Sequence, residues 1–266
     1  MFETLRAWRW HAWALAFTAS FAAPFSVADQ VPSAVRHIVL VHGAFADGSS
    51  WSPVIDILLR QGYHVTAVQN PLTSLADDAA ATRRVLERQN EDVILVGHSW
   101  GGVVVTEVGQ AAHVKGLVYL SALVPDIGES AAGMLSRLGA PIQGMAPDKD
   151  GLVWLDDPVA YRRMMAGDVS EPQARRLAAT QQPIAVRAFS DKVTAAPWRT
   201  RPSWYLVTEN DKALPPGVQH ALAQHIGATT VTLKSSHLSW MSQPHAVASL
   251  IEQAAQAAER SLRTAP

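Results

Sequence analysis

The sequence has no cysteine among its 266 residues. That excludes disulfides, a thiol nucleophile, a cysteine-ligated metal and a lipidated amino-terminal cysteine, and it is compatible with an oxidising compartment. An excess of one charge is also missing. With 22 Lys and Arg against 23 Asp and Glu, the formal net charge is −1, so nothing advertises a nucleic acid or an anionic membrane as partner. No internal repeat or low-complexity linker interrupts the chain. What is abundant is apolar: 48% of residues are hydrophobic, enough for one large α/β domain with a substantial core.

The first 28 residues differ from the rest. "MFETLRAWRW" carries Arg6 and Arg9, "HAWALAFTASFAAPF" is almost wholly apolar, and "SVADQ" offers small residues at Ser26 and Ala28. This order reads as a cleavable secretory signal processed after Ala28. The apolar run is short of the ~20 residues that a bilayer span needs. The two arginines are not adjacent, so no twin-arginine signal is present. The expectation is a periplasmic or secreted body, residues 29–266, with no stable membrane insertion after cleavage.

Beyond the leader, strands and helices alternate. "HIVLVHG", "YHVTAVQNP", "DVILVGHS" and "VKGLVYLSAL" read as strands, separated by helices in "SSWSPVIDILLRQG", "TSLADDAAATRRVLERQN" and "SWGGVVVTEVGQAAH". From Pro125 to about Arg201 no strong strand is evident, and short helices are expected at 158–166 and 171–180. The alternation resumes with "SWYLVTEND", a helix near 215–226, "ATTVTLK" and a closing helix near 244–262. This predicts a doubly wound, mostly parallel sheet covered on both faces, with residues 125–201 inserted over one sheet edge.

Gly97-x-Ser99-x-Gly101 stands between a buried strand and a helix, the nucleophile-elbow pattern. Alone, such a pattern arises by chance in roughly one chain of this length in ten; its placement removes most of that chance. A serine hydroxyl needs a base. His237 lies in the loop after the last strand, at the carboxyl edge where ligands bind in such sheets. The other histidines, among them His64, His113, His220 and His225, carry no companion signal, and His42 is read as shaping its loop. For the carboxylate that orients the imidazole, Asp211 ends a strand in "YLVTENDKALP"; Asp126 and Glu209 are the alternatives. The backbone N–H groups of Trp100 and of Ala44, in "VHGAF", are the expected oxyanion donors.

From residue 36 to 262 the chain resembles the α/β-hydrolase superfamily, and within it the small esterases of the salicylate-methylesterase and hydroxynitrile-lyase type. The segments that carry this are "VHGAFADGSSW", "VGHSWGG", "VYLSALVPDIGES", "YLVTENDKALPPGVQHALAQHIGA" and "SHLSWMSQP". The resemblance aligns Asp211 and His237 with that group's acid and base, and it implies that residues 125–201 form a mainly helical cap. Lyases of the group place a threonine in the first oxyanion loop and a lysine after the histidine. Here Gly43 and Leu238 stand instead, which favours ester hydrolysis. Related dehalogenases and epoxide hydrolases use an aspartate where this chain has Ser99.

The expected activity is therefore hydrolysis of small-to-medium carboxylic esters or lactones through Ser99, His237 and Asp211, with no metal or organic cofactor. The alternatives are a hydroxynitrile lyase, an amidase or a perhydrolase on the same triad, or a ligand-binding module that kept the fold. The substrate pocket is expected to be lined by Phe45, Leu123, Trp154, Leu214 and Leu238, with Trp100, Met134, Leu135, Met164 and Met165 as further candidates. Composition and motifs leave the oligomeric state open.

Overall fold

The computed structural model describes residues 35–264 apart from Met145; the expected signal peptide, residues 1–28, lies outside the described residues. In chain order the elements are β1 (His37–Val41), α1 (Ser52–Arg60), β2 (His64–Val68), α2 (Leu75–Leu86), β3 (Val93–His98), α3 (Trp100–Val108) and β4 (Val114–Leu120). Between β4 and the next strand of the main sheet come α4 (Ala131–Arg137), β5 (Leu152–Val153), α5 (Pro158–Met165), α6 (Glu171–Thr180) and β6 (Ile184–Ala185). The body then resumes with β7 (Ser203–Thr208), α7 (Pro216–His225), β8 (Thr229–Leu233), α8 (Ser239–Ser242) and α9 (Pro244–Thr264).

The main sheet is six-stranded in the order β2-β1-β3-β4-β7-β8, and every pairing is parallel. Burial explains which strands sit where. All six residues of β3 and all six of β7 are buried, whereas β2 and β8 at the edges are partly exposed along most of their length. A strand buried on both faces must be apolar throughout, and Val93, Ile94, Leu95 and Val96 are each fully buried, worth about 1.5–3 kcal/mol per side chain. Helix α9 lies against β3, β4 and β7 with α1 beside it, while α2 and α3 pack together over β1 and β3.

Local chemistry sets the helix boundaries. Ser74 caps α2 by accepting the Asp77 N–H, with Asp77 and Asp78 in its first turn and Arg83 and Arg84 in its last, as the helix dipole favours. Asp157 caps α5 in the same way, with Pro158 at its first position. The parallel register brings the carboxyl ends of β1, β3, β4, β7 and β8 to one rim: Val41 opposite Gly97, His98 opposite Leu120, Leu120 opposite Leu206 and Thr208 opposite Leu233.

The inserted segment rises from this rim. It holds the two short helices expected there, α5 and α6, together with α4, the antiparallel pair β5–β6 of two residues per strand, and 3-10 turns at Val186–Ser190 and Pro197–Arg199. These are too short for periodicity to reveal. Helix α4 spans seven residues and includes Gly133; the Ser130 cap and the buried faces of Met134 and Leu135 hold it. Among the described residues no helix is long and apolar enough to cross a membrane.

Candidate active site

Ser99 sits at the turn from β3 into α3 with φ 50° and ψ −120°, a backbone region that L-residues avoid and that persists only where surroundings impose it. Here they do. A Cβ on Gly97 would lie 2.7 Å from the Gly101 carbonyl oxygen, and one on Gly101 would run into the Val41 carbonyl oxygen. The elbow is pinned from outside as well: the Ser99 N–H donates to Leu120 O at 3.2 Å, and its carbonyl accepts from Gly102 and Leu123, both at 3.0 Å. Among the described residues the Ser99 hydroxyl has no hydrogen-bond partner, His237 included. In unliganded hydrolases this contact is often loose.

His237 is 1% exposed and Asp211 4%. The Nδ1 of His237 lies 2.7 Å from Asp211 Oδ2, which leaves Nε2 as the ring nitrogen outside that contact. Asp211 Oδ2 also accepts from Thr208 Oγ1 at 2.8 Å and from Gln219 Nε2 at 2.9 Å; Oδ1 accepts from the amides of Ala213 and Leu214 at 2.8 Å each. Burial pushes this carboxyl up, but the neighbouring imidazole and the hydrogen bonds outweigh it and hold Asp211 below the ordinary carboxylate range. The alternatives lie elsewhere. Asp126 pairs with Arg199 at 2.7 Å, and Glu209 is exposed. Thr208 and Gln219 were not foreseen: a glutamine inside "PGVQHALAQH" gives no sign of facing inward until α7 is placed.

The ring of His98 backs the His237 imidazole, with centroids 4.5 Å apart in an edge-to-face arrangement, and Trp240 meets His98 at 4.0 Å. Both nitrogens of His98 are buried without a partner, and burial holds it far below its ordinary pKa. It is a neutral packing block.

The loop after β1 supplies the other half of the site. A Cβ on Gly43 would stand 2.8 Å from Ser99 Cβ and 2.9 Å from the His98 carbonyl oxygen, so only glycine lets this loop approach the serine. Next to it, the Ala44 N–H and the Trp100 N–H, at the start of α3, make no hydrogen bond to another described residue. His42 is wholly buried. Its Nε2 accepts the Asn70 N–H at 2.9 Å and its Nδ1 lies 2.9 Å from the Gly43 carbonyl oxygen, which fits one neutral tautomer. Burial lowers its pKa accordingly. Phe45 follows with φ 57°.

A cavity of about 430 Å³ opens over these groups and is bordered by Ala44, Ser99, Trp100 and His237. Of the anticipated substrate contacts, Phe45, Leu123 and Leu214 line it, as do Leu135, Met164 and Met165. Trp154, Leu238 and Met134 do not. Trp154 is 47% exposed, with its indole bonded to Asp148 on the outside of the cap. Leu238 and Met134 are buried in packing. In their place the 139–143 stretch after α4, Phe189 and Lys212 border the space. These come from segments without periodic pattern, so nothing in the residues marked them. Among the described residues no cluster of three His, Asp or Glu could hold a metal.

The chain belongs to the alpha/beta hydrolase family, whose model matches residues 38–250. It is 29% identical over 244 residues to the alpha/beta hydrolase nvfD of Aspergillus novofumigatus, covering 82% of this chain and 96% of that protein. It is 31% identical over 106 residues to an alpha-hydroxynitrile lyase of Arabidopsis thaliana, covering 34% of this chain and 41% of that one. The solved structure of polyneuridine aldehyde esterase superposes with a TM-score of 0.71 at 20% identity, over 82% of this chain and 98% of the esterase.

Proposed function

We propose that the protein is a serine hydrolase of small-to-medium carboxylic esters or lactones. The observation that carries this reading is the buried 2.7 Å contact between His237 and Asp211, bordering the same cavity as a serine on a strained elbow. His237 Nε2 takes the proton of Ser99 Oγ as the oxygen attacks the ester carbonyl. The Ala44 and Trp100 amides stabilise the tetrahedral oxyanion, a contribution of about 10²–10³ in turnover per donor. The alcohol leaves with the proton from His237, and water, deprotonated by the same nitrogen, releases the acid and frees Ser99. A pocket walled by Phe45, Leu123, Leu135, Met164, Met165 and Leu214 suits an ester with an apolar group.

The test is turnover of a panel of short p-nitrophenyl esters by the purified mature protein. Activity is expected, and Ser99→Ala is expected to lower kcat on the order of 10⁶-fold. No turnover of any ester would sink the reading. Cyanohydrin cleavage is the second reading, because Lys212 borders the cavity although the position after His237 is a leucine. Assaying mandelonitrile alongside the esters separates the two, and amide hydrolysis and peroxide-dependent halogenation extend the same comparison. We also propose export with cleavage after Ala28; mass spectrometry of the mature amino terminus should find Asp29 first.

A further inference from the structure

The cap touches the catalytic machinery on both sides, through one helix and the turn after it. Tyr161, buried on α5, donates its hydroxyl to the Phe45 carbonyl at 2.9 Å. Phe45 is next to Ala44 and holds a left-handed backbone, φ 57°, so the oxyanion loop is fixed by a bond from the cap. At the end of the same helix the Met165 carbonyl accepts the Leu238 N–H at 3.1 Å. Three residues further on, the Asp168 carboxylate accepts the Ser236 N–H at 3.0 Å and also the Ser236 hydroxyl. The residues on either side of His237 are therefore both bonded to the cap. The His237 carbonyl is held in turn by the Ser121 hydroxyl at 3.3 Å.

His237 sits in a loop, and a loop alone does not keep an imidazole within a few tenths of an ångström of its working place. A side chain that accepts from both the N–H and the hydroxyl of Ser236 holds that residue at two points. Burial raises the Asp168 pKa, yet the two bonds from Ser236, with the nearby Ser242 and Ser235 hydroxyls, outweigh this and hold it below the ordinary carboxylate range, so the tether is ionised at neutral pH.

We propose that the segment from Tyr161 to Asp168 is a brace that fixes the oxyanion loop relative to the catalytic imidazole, with Tyr161 and Asp168 as positioning residues. Neither is placed on the cavity wall, and neither contacts Ser99. The cap then does more than select substrate: the geometry of proton transfer depends on its being seated. This rests on the reading of Ser99 and His237 as an acyl-transfer pair.

The test uses the full mature chain with Asp168→Ala, Asp168→Asn and Tyr161→Phe, each titrated with a fluorophosphonate so that rates refer to active sites. Three readouts are taken: the rate of Ser99 phosphonylation, kcat and KM for p-nitrophenyl butyrate, and the low-field proton resonance of the His237–Asp211 bond. D168A is expected to slow phosphonylation and kcat by about 10- to 100-fold, the scale of a misplacement near 1 Å, with KM within twofold and the low-field resonance broadened. D168N keeps an acceptor for the Ser236 N–H and offers its amide to the Ser236 hydroxyl, so it should recover to within about threefold of the parent. Y161F should slow both rates and leave the resonance in place.

Unchanged rates per active site in D168A overturn the brace, as does a D168N protein as impaired as D168A, since that would make the charge and not the tether responsible. Should D168A fail to fold, Y161F carries the test, and parent-like rates in Y161F overturn it. A parent protein that is phosphonylated at Ser99 but turns over no ester would refute the esterase reading alone, the brace being judged on labelling rates.

Discussion

The indole N–H of Trp100 donates a 2.7 Å hydrogen bond to Oδ2 of Asp78, a carboxylate with no exposed surface on α2. The other oxygen of Asp78 accepts the N–H of Leu72 at 2.7 Å, and Leu72 has φ 58°. One buried carboxylate thus ties the residue after Ser99 to the strained loop that leads into α2. Burial raises its pKa to about 6 against the pull of the Trp100 and Leu72 bonds.

The titration of Asp78 should be visible at Trp100. The folded protein holds a proton on Asp78 up to about pH 6, whereas the unfolded chain loses it near 3.8. Between these values the native state binds more protons, so this group's contribution to stability falls as pH rises from about 4 to about 6, by on the order of 3 kcal/mol. His42 and His98 act oppositely: buried and neutral with lowered pKa values, they favour unfolding as pH drops below 6.5, where the unfolded rings protonate. Global stability mixes the two signs, so a local probe is needed. Tryptophan emission is expected to show a step centred near pH 6 that Asp78→Asn abolishes; a step that survives in D78N would refute the assignment.

Replacing Asp211 by asparagine keeps the volume and removes the charge. Five hydrogen-bond donors converge on that carboxylate, and an amide accepts on one side only. The imidazole loses the partner that fixes its tautomer, which costs about 10⁴ in kcat where such an acid has been replaced. Steady-state kinetics should show that loss with KM little changed, and a loss under tenfold would point to another acid.

Gln219 is expected to matter for stability more than for rate. Its Oε1 accepts the Thr208 N–H at 2.9 Å, and its Nε2 donates to the Leu214 carbonyl at 2.8 Å as well as to Asp211. Gln219→Leu strands a buried N–H and a carbonyl, each worth about 1–3 kcal/mol when unsatisfied. Urea unfolding should report a drop of that order, with kcat reduced much less than in D211N.

The sheet was readable because its strands are long apolar runs between glycines and prolines, and because parallel pairing aligns their ends once the order is known. Ser99 was readable for a related reason: a hydroxyl between glycines after "VILV" has few structural uses. His237 followed from chain order, and the position of Asp211 at the end of a strand favoured it over Asp126 and Glu209, a choice that the family resemblance strengthened. The cavity wall was less legible. Trp154 was expected on the wall, yet its indole is bonded to Asp148 and half exposed, and Leu238 is buried although it adjoins His237. Asp78, Tyr161 and Asp168 gave no signal because each acts on residues 22, 116 and 68 positions away.

The sharpest test of the oxyanion loop is a single methyl group. Gly43 has no left-handed backbone to accommodate; what it provides is room. A Cβ there meets Ser99 Cβ at 2.8 Å, the His98 carbonyl oxygen at 2.9 Å and His98 Nδ1 at 3.0 Å. Two of these belong to the elbow's rigid backbone and to the nucleophile, so the loop must retreat. The Ala44 amide moves with it, away from where the oxyanion forms. Gly43→Ala is therefore expected to lower kcat by about 10²–10³, the cost of one lost donor, while the melting temperature shifts by a few degrees, as for a local strain of about 1 kcal/mol. Gly43→Ala with parent-like kcat would show that the amide of Ala44 takes no part in the reaction.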